Sequence, residues 1–269
     1  MHSSMRRVAL VTGATSGIGR EVALALARAG DRVIFIGRDG ARARELLDAL
    51  NALQPDAGHG YLLADLSLLG EVASVCEAVA LDTPRLDALV CCAGRLSLQA
   101  EWTSEGLERS FVLNVLSRFM LARRLLPALC RSPSGRVVLV GDAGRHADTL
   151  DFNDLQHRRG APGLDVWRRT QFANDLLAAK LAMRWRYTRV EVTAAYPGLA
   201  RTAFLRNARG LPRPLHAVAT LLHAACARSA RAAADTLVYL ARHPQAIGVS
   251  GRFFGPRRLE IAVPPAVRR

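Results

Sequence analysis

Short apolar runs rich in β-branched residues alternate along the chain with longer stretches of helical spacing, and this alternation limits the fold most strongly. Strands that are apolar on both faces and separated by helices form a parallel sheet with right-handed crossovers. The pattern predicts strands over 8–12, 32–37, 60–64, 88–92, 136–141 and 189–195, and helices over 19–29, 41–53, 69–80, 105–129 and 167–185. We therefore expect an α/β fold with a doubly wound parallel sheet, covered by helices on both faces and continued through residues 230–263.

Length and composition set the number of domains. The 269 residues, half of them hydrophobic, are enough to close one large core, so a disordered chain is excluded. No internal repeat, low-complexity tract or linker interrupts the alternation. We expect a single domain over residues 1–269.

The charge and cysteine patterns exclude several partner classes. Lys and Arg total 37 against 23 Asp and Glu, a net charge of +14, but the arginines interleave with acids and form no dense basic run. This argues against nucleic-acid binding. The five cysteines have no metal-ligand spacing and read as reduced core residues, so no metal is expected. With no signal peptide and no apolar stretch of about 18 residues, we expect a cytoplasmic protein without a membrane span.

A glycine-rich segment follows the first predicted strand and opens the first predicted helix. Glycines let the backbone approach a pyrophosphate, while the helix N-terminus offers unpaired N–H groups and positive potential. A doubly wound sheet binds its ligand at the carboxyl ends of its strands. We therefore expect a Rossmann-type dinucleotide site here. Its predicted phosphate-binding residues are Gly13, Thr15, Ser16, Gly17, Ile18 and Gly19.

The end of the second predicted strand bears on the choice of nucleotide. An NAD site places a carboxylate there for the ribose 2′-hydroxyl, whereas this chain has Gly37 followed by Arg38. A guanidinium suits a 2′-phosphate through charge-assisted hydrogen bonds. NADP(H) is therefore favoured over NAD(H), with a solvated arginine at a helix start as the alternative.

These segments together resemble the short-chain dehydrogenase/reductase family along nearly the whole chain. Thr12 to Gly19 fits the family's TGxxxGIG loop, and the stretches 151–156, 170–174 and 250–254 look most like the retinol-dehydrogenase-like branch. The resemblance implies a nicotinamide cofactor, a small-molecule substrate and, since family members often form dimers or tetramers, a possible homo-oligomer. It also assigns further cofactor-binding positions, at the adenine, the turn after the fourth strand and the nicotinamide: Asp65, Leu66, Gly94, Pro197, Gly198 and Thr202.

The family's catalytic asparagine, serine, tyrosine and lysine are mostly replaced. Asn114 matches the asparagine, but Asp142 stands in the serine position, Trp167 in the tyrosine position and Gln171 in the lysine position. Tyrosine and lysine must lie four residues apart on one helix face. Lys180, the only lysine, cannot restore the pair, because nine residues beyond Gln171 it points to roughly the opposite face at ~100° per residue.

The replacements predict that nucleotide binding survives without the usual proton transfer. Trp167 has no O–H and reads as a pocket wall, while Gln171 can hydrogen-bond a ribose hydroxyl but carries no charge. Asp142, at the end of a buried strand, is a candidate acid or base, or else a structural group that caps a turn or pairs with Arg145. His146 is a possible second acid/base group, and Tyr196, just before Pro197, is placed near the nicotinamide.

Residues 203–229 correspond to the family's substrate-covering segment. Arginines precede a mostly apolar helix there, a combination that suits an apolar molecule with an acidic handle and equally a solvated face. The residues concerned are Arg201, Arg206, Arg209, Arg213 and the helix 215–227.

Three functions remain open from the sequence. The first is an atypical NADP(H)-dependent oxidoreductase for a small, largely apolar molecule whose reduction does not need the Tyr–Lys relay, such as an iminium, a conjugated alkene or a quinone. The second is a non-redox cyclase, isomerase or dehydratase that uses Asp142 as acid/base. The third is a catalytically silent nucleotide-binding protein.

Overall fold

A mostly parallel sheet of eight strands forms the centre of the described part of the molecule. The computed structural model describes residues 6–146, 150–160, 165–198 and 229–268. The strands are β1 (Val8–Thr12), β2 (Arg32–Gly37), β3 (Gly60–Leu63), β4 (Ala88–Cys91), β5 (Gly135–Val140), β6 (Val190–Ala195), β7 (Phe253–Phe254) and β8 (Glu260–Ile261). Their spatial order is β3-β2-β1-β4-β5-β6-β7-β8, and all pairs are parallel except β7 with β8.

Helices connect the parallel strands and cover both faces of the sheet. The described α-helices are α1 (Gly17–Arg28), α2 (Gly40–Leu53), α3 (Leu69–Asp82), α4 (Arg109–Phe111), α5 (Ser117–Arg124), α6 (Leu126–Cys130), α7 (Asp165–Arg184), α8 (Ala230–Arg242) and α9 (Pro265–Arg268). One side of the sheet carries α1, α2 and α8, and the other carries α3, α5, α6 and α7. The doubly wound fold predicted from the sequence is confirmed.

Alternate residues along each strand enter two separate apolar cores. In β1, Leu10 packs on the side of α3 and α7, whereas Ala9 and Val11 pack on the side of α1 and α8. Each of these three side chains is at most 1% exposed. Burying apolar surface on both faces of the strands stabilises the sheet and explains why the strands read as continuous apolar runs.

Two predictions need correction. The segment 105–129 is not one helix: α4 is three residues long, a π-helical turn follows over Val112–Leu116, and α5 and α6 complete the segment. Cys130 is exposed at the end of α6, whereas Cys76 and Cys91 are core residues as expected and Cys92 is partly buried.

Some predictions concern residues outside the described part of the chain. Thr202, the four arginines between 201 and 213, the helix over 215–227 and all of the substrate-covering segment except Ser229 lie there. Among the described residues, no helix combines the length and the apolar character needed to cross a membrane, and no cluster of His, Cys, Asp and Glu is suited to hold a metal.

Candidate functional site

A cavity of about 520 Å³ opens at the carboxyl ends of β1, β2, β4, β5 and β6. The sheet order reverses between β1 and β4, which is where a doubly wound fold binds its ligand. The sequence-predicted residues that line this cavity are Gly13, Thr15, Ser16, Gly17, Ile18, Gly19, Arg38, Leu66, Gly94, Asn114, Asp142, Trp167, Gln171, Tyr196, Pro197 and Gly198.

The turn between β1 and α1 requires glycine for steric reasons. Gly13 has a φ of +65°, and a Cβ there would lie 2.8 Å from the Cα of Ala93 in the loop after β4. A Cβ at Gly19 would lie 2.5 Å from the Gly13 carbonyl oxygen. The hydroxyl of Ser16, the residue before α1, makes no capping hydrogen bond. The helix start therefore presents N–H groups at the cavity wall, as an anion site needs.

Arg38 lines the cavity directly after β2. Its side chain is exposed, and a Cβ on the preceding Gly37 would lie 2.3 Å from Cγ2 of Thr15, so strand and loop are in close contact. The next acid, Asp39, caps α2 by accepting a hydrogen bond from the Arg42 N–H and pairs with the Arg42 side chain at 3.3 Å. The cavity therefore has the Arg38 guanidinium at its rim, while the neighbouring Asp39 carboxylate is already bound to Arg42.

Asp65 and Leu66 follow β3, but only Leu66 lines the cavity. The Asp65 carboxylate accepts hydrogen bonds from the N–H and hydroxyl of Ser67 and from Arg109. Burial alone would raise the pKa of Asp65, yet the Ser67 hydrogen bonds and the charges of Arg38 and Arg109 hold the pKa below its usual value. Its carboxylate is thus ionised and fixes the local turn.

Asn114 sits in the π-helical turn and is almost fully buried. Its oxygen accepts a hydrogen bond from the Arg95 N–H at 3.0 Å, and its amide donates to the Arg95 carbonyl and to the Thr170 hydroxyl. These bonds join the loop after β4 to helix α7. Asn114 therefore lines the cavity, but the hydrogen bonds of its side chain are used to hold these two segments together.

Trp167 and Gln171 occupy the first half of α7 and both line the cavity. Gln171 is 6% exposed, and its amide approaches the Thr170 hydroxyl at 3.4 Å. The indole N–H of Trp167 is buried with no hydrogen-bond partner among the described residues. Lys180 is exposed further along α7, as the helical spacing predicted.

Asp142 follows β5 and pairs with a histidine rather than with Arg145. Oδ2 of Asp142 lies 2.6 Å from Nε2 of His146, with the two side chains 19% and 13% exposed. The imidazole stands edge-on to the Trp167 ring, with the ring centroids 5.0 Å apart and the planes at 81°. Asp142 lines the cavity, and the imidazole lies behind it against the indole.

Arg145 contributes to the same wall through an aromatic contact. Its guanidinium lies over the Tyr196 ring, 4.6 Å from the centroid. Burial raises the pKa of the Tyr196 hydroxyl, partly against the effect of the Arg145 charge. The phenol is therefore neutral at ordinary pH and does not supply a phenolate base.

Sequence reasoning missed Arg95, which lines the cavity, and two charged residues that are buried at this site. Arg118 in α5 is 4% exposed and donates to the carbonyl oxygens of Ala93 and Val140 and to Oδ1 of Asn174, while Arg118 also lines the cavity. Asp175 in α7 is fully buried and accepts a hydrogen bond from the Gly144 N–H at 2.7 Å. Burial raises the pKa of Asp175 to about 7.

Comparison with known proteins decides the family. The model of the short chain dehydrogenase family matches residues 7–147, which is more than half of the chain. The chain belongs to the short-chain dehydrogenase/reductase family. Mouse retinol dehydrogenase 14 is 34% identical over 97% of this chain and 81% of its own length. Mouse polyprenol dehydrogenase is 35% identical over 92% and 75%, respectively.

The solved structures agree with this family assignment. A short chain dehydrogenase from Escherichia coli CFT073, solved with NADPH, is 25% identical, with a TM-score of 0.69 over 93% of this chain and 96% of that one. An E. coli oxidoreductase at 24% identity has a TM-score of 0.72 over 96% and 100%, and so shows the fold alone. Together with the relatives, these matches identify the chain as an oxidoreductase of the retinol-dehydrogenase-like branch, whose fold implies a nicotinamide dinucleotide.

Proposed function

We propose that the protein is an NADP(H)-dependent oxidoreductase for a small, largely apolar molecule whose reduction does not use the Tyr–Lys relay. One observation carries the proposal. A single cavity is lined by the glycine loop, Arg38 and Pro197–Gly198 at the cofactor side, and by Asp142, Trp167 and Gln171 where the family places its proton-transfer residues.

The residues of the cavity fit a dinucleotide. Gly13 and Gly19 leave no space for a Cβ, which allows the backbone to approach a pyrophosphate, and the start of α1 presents N–H groups there. Gln171 and the segment Pro197–Gly198 are available to the nicotinamide riboside. The bound cofactor would supply the hydride, and the chain would bind and orient the acceptor.

Arg38 carries the preference for the phosphorylated nucleotide. It is exposed at the rim, and its charge also acts on Asp65 at the neighbouring strand end. A charge-assisted bond to a 2′-phosphate contributes roughly 1.5 to 3 kcal/mol. We expect NADPH to bind more tightly than NADH by at least about tenfold, since 1.4 kcal/mol is a factor of ten.

Calorimetric titration of NADPH and NADH tests this assignment. The measurements use the unmodified protein, Arg38→Ala and, as a matched control, Arg42→Ala, whose guanidinium is paired with Asp39. Arg38→Ala should remove the preference and Arg42→Ala should keep it. An equal affinity for both nucleotides, or a preference that survives Arg38→Ala, would contradict the role of Arg38.

The acceptor side of the proposal concerns the wall made by Asp142, Arg145 and Tyr196. Arg145 is exposed and has no ion-pair partner among the described residues, so it is available to a carboxylate or phosphate on the substrate. This supports an apolar substrate with an acidic handle independently of the arginines in the substrate-covering segment.

A further inference from the structure

We propose that Asp142 and His146 form the proton source that replaces the Tyr–Lys pair, and that the acceptor is therefore a quinone or a carbonyl conjugated to an alkene. This inference rests on the proposed function and selects among its substrates. In both acceptors, hydride addition leaves negative charge on an oxygen that must be protonated.

The geometry gives the two residues different roles. Asp142 lines the cavity and can reach a substrate oxygen, whereas His146 does not line it and contacts the carboxylate from behind at 2.6 Å. The imidazole is held edge-on by Trp167 and remains 13% exposed, so solvent can reprotonate it. Asp142 is thus the catalytic group, and His146 is a positioning residue that orients the Asp142 carboxyl and supplies it with a proton.

The charges of the cavity wall disfavour a cationic substrate. The described lining contains four arginines but Asp142 as its only acid. Two of the four have other assignments, because Arg38 serves the nucleotide and Arg95 pairs with Glu101 at 2.6 Å. Arg118 and Arg145 remain, and neither forms a salt bridge with a carboxylate among the described residues, although the buried Asp175 lies near enough for its charge to act on Arg118. Their potential repels an iminium and stabilises a developing oxyanion.

The reaction balances with one hydride and one proton. Hydride addition to the substrate carbon moves a π-electron pair onto the carbonyl oxygen. The proton held between Nε2 of His146 and Oδ2 of Asp142 is delivered through the Asp142 carboxyl to that oxygen, which leaves the carboxylate beside a neutral imidazole. A water molecule then returns one proton to the pair, and hydroxide is released to the solvent. From an enone this gives the enol, which tautomerises to the saturated ketone, and from a quinone it gives the hydroquinone.

Other charged groups close to the pair are accounted for. The Asp175 carboxyl accepts a hydrogen bond from the Gly144 N–H, and the charges of both Asp142 and His146 act on it. Arg145 lies over the Tyr196 ring in the same wall of the cavity as Asp142. Burial keeps Tyr196 protonated, and the Asp175 side chain, with no exposed surface, does not reach the cavity. Asp142 is therefore the one carboxyl of the described residues that meets both the cavity and a histidine.

The test measures NADPH consumption with three acceptors: 2-cyclohexenone, menadione and an N-methyl dihydroisoquinolinium as a permanent iminium. The proteins are the unmodified chain, Asp142→Asn, His146→Gln, His146→Gly, and His243→Gln as a control histidine remote from the cavity. NADPH affinity by calorimetry and melting temperature are measured for each. The His146→Gly variant is also assayed with added imidazole.

We expect the enone or the quinone to be reduced and the iminium not. His146→Gln and Asp142→Asn should lower kcat about 100-fold or more, with NADPH affinity and melting temperature retained. Imidazole should restore part of the kcat of His146→Gly, which a purely structural role would not produce, and His243→Gln should behave as the unmodified chain.

The contradicting outcomes separate the two proposals. Full kcat in His146→Gln, absence of imidazole rescue in a folded His146→Gly, or faster reduction of the iminium than of the other acceptors would overturn the proton source while leaving the oxidoreductase intact. Failure of the unmodified protein to consume bound NADPH with all three acceptors would overturn the proposed function, and the proton source with it.

Discussion

Asp142 is the residue whose carboxylate joins the cavity to a second titratable group. The sequence left two structural alternatives open, a turn cap and a pair with Arg145, and the structure instead places its carboxylate 2.6 Å from His146. We expect Asp142→Asn to lower turnover by roughly 100-fold to 10,000-fold, because the amide keeps the volume but cannot transfer a proton. Steady-state kinetics and thermal melting of the same preparations measure the effect.

Two other outcomes would show that Asp142 is not the catalytic acid. If Asp142→Asn melts at a much lower temperature, or keeps its activity, the carboxylate is a structural group. The acid/base function would then have to be sought at Tyr196 or in hydride transfer alone.

Trp167 and Gln171 allow the missing relay to be rebuilt. Both line the cavity from one face of α7, four residues apart, as a tyrosine and a lysine would. Turnover of ordinary ketones and secondary alcohols should be very slow in the unmodified chain and should rise in Trp167→Tyr with Gln171→Lys. Trp167→Phe with Gln171→Lys is the matched control, since it lacks only the hydroxyl.

Two results would contradict the alignment of these positions. One is a robust retinol or steroid dehydrogenase activity in the unmodified chain. The other is an equal gain in the phenylalanine control, which would trace the effect to the lysine charge rather than to proton transfer from a hydroxyl.

The sequence could predict the residues of the phosphate turn but not the partners of the buried charges. Gly13 and Gly19 belong to one short turn between a strand and a helix, so their spacing in the sequence was enough to predict that they line the phosphate site. Arg118 and Asp175 lie inside helical patterns, where a charge usually marks the solvent face. Their burial depends on contacts to Ala93 and Gly144, which are distant in the sequence.

At the scale of elements, helix α7 holds the turn that carries Asp142 and His146. Within that turn Ala143 has a φ of +26° and Gly144 a φ of +77°, a conformation that costs free energy at a non-glycine residue. The Asp175 carboxyl in α7 accepts a hydrogen bond from the Gly144 N–H, which stabilises this conformation. The turn is therefore fixed by a buried group whose pKa is raised to about 7.

This burial predicts a pH dependence of stability. Because the folded pKa of Asp175 is above its unfolded value of 3.8, the folded state binds the extra proton, and the contribution of Asp175 to stability falls as pH rises from about 4 to 7. The full effect is at most roughly 4 kcal/mol. Asp175→Asn should remove this fall, as measured by urea unfolding at several pH values.

Asp165→Asn, a change at a half-exposed acid of the same helix, serves as the control. A free energy of unfolding that declines equally with pH in the unmodified chain and in Asp175→Asn would show that another group titrates in this range.

The sequence pattern predicted the boundaries of regular strands, but it did not predict an irregular turn within a segment of helical spacing. The strands over 8–12 and 32–37 were predicted without error, since both are continuous apolar runs. The segment 105–129 keeps helical spacing throughout, yet the π-helical turn Val112–Leu116 inserts an extra residue into the helix. That insertion presents Asn114 to Arg95 and Thr170, a tertiary requirement that periodicity does not report.

At the scale of the whole molecule, the strand order places most candidate groups of the described residues together at the carboxyl ends of the strands. The alternation of strands and helices was enough to predict the parallel sheet, because crossovers have a fixed hand. It could not show which side chains meet in the cavity, since the loops after β4 and β5 differ from the usual motif. The proposals on cofactor preference and proton transfer therefore depend on the contacts of those loops.

The buried guanidinium of Arg118 has a consequence for the redox balance of the bound nucleotide. The oxidised nicotinamide ring carries a positive charge that the reduced ring lacks, and Arg118 raises the electrostatic potential beneath the cavity. We expect NADPH to bind about tenfold more tightly than NADP⁺, roughly 1.4 kcal/mol. Arg118→Gln should narrow the ratio in calorimetry, and an unchanged ratio would contradict it. The chain would then be occupied mainly by the reduced nucleotide in a mixed cellular pool, because an interior charge discriminates between the two oxidation states.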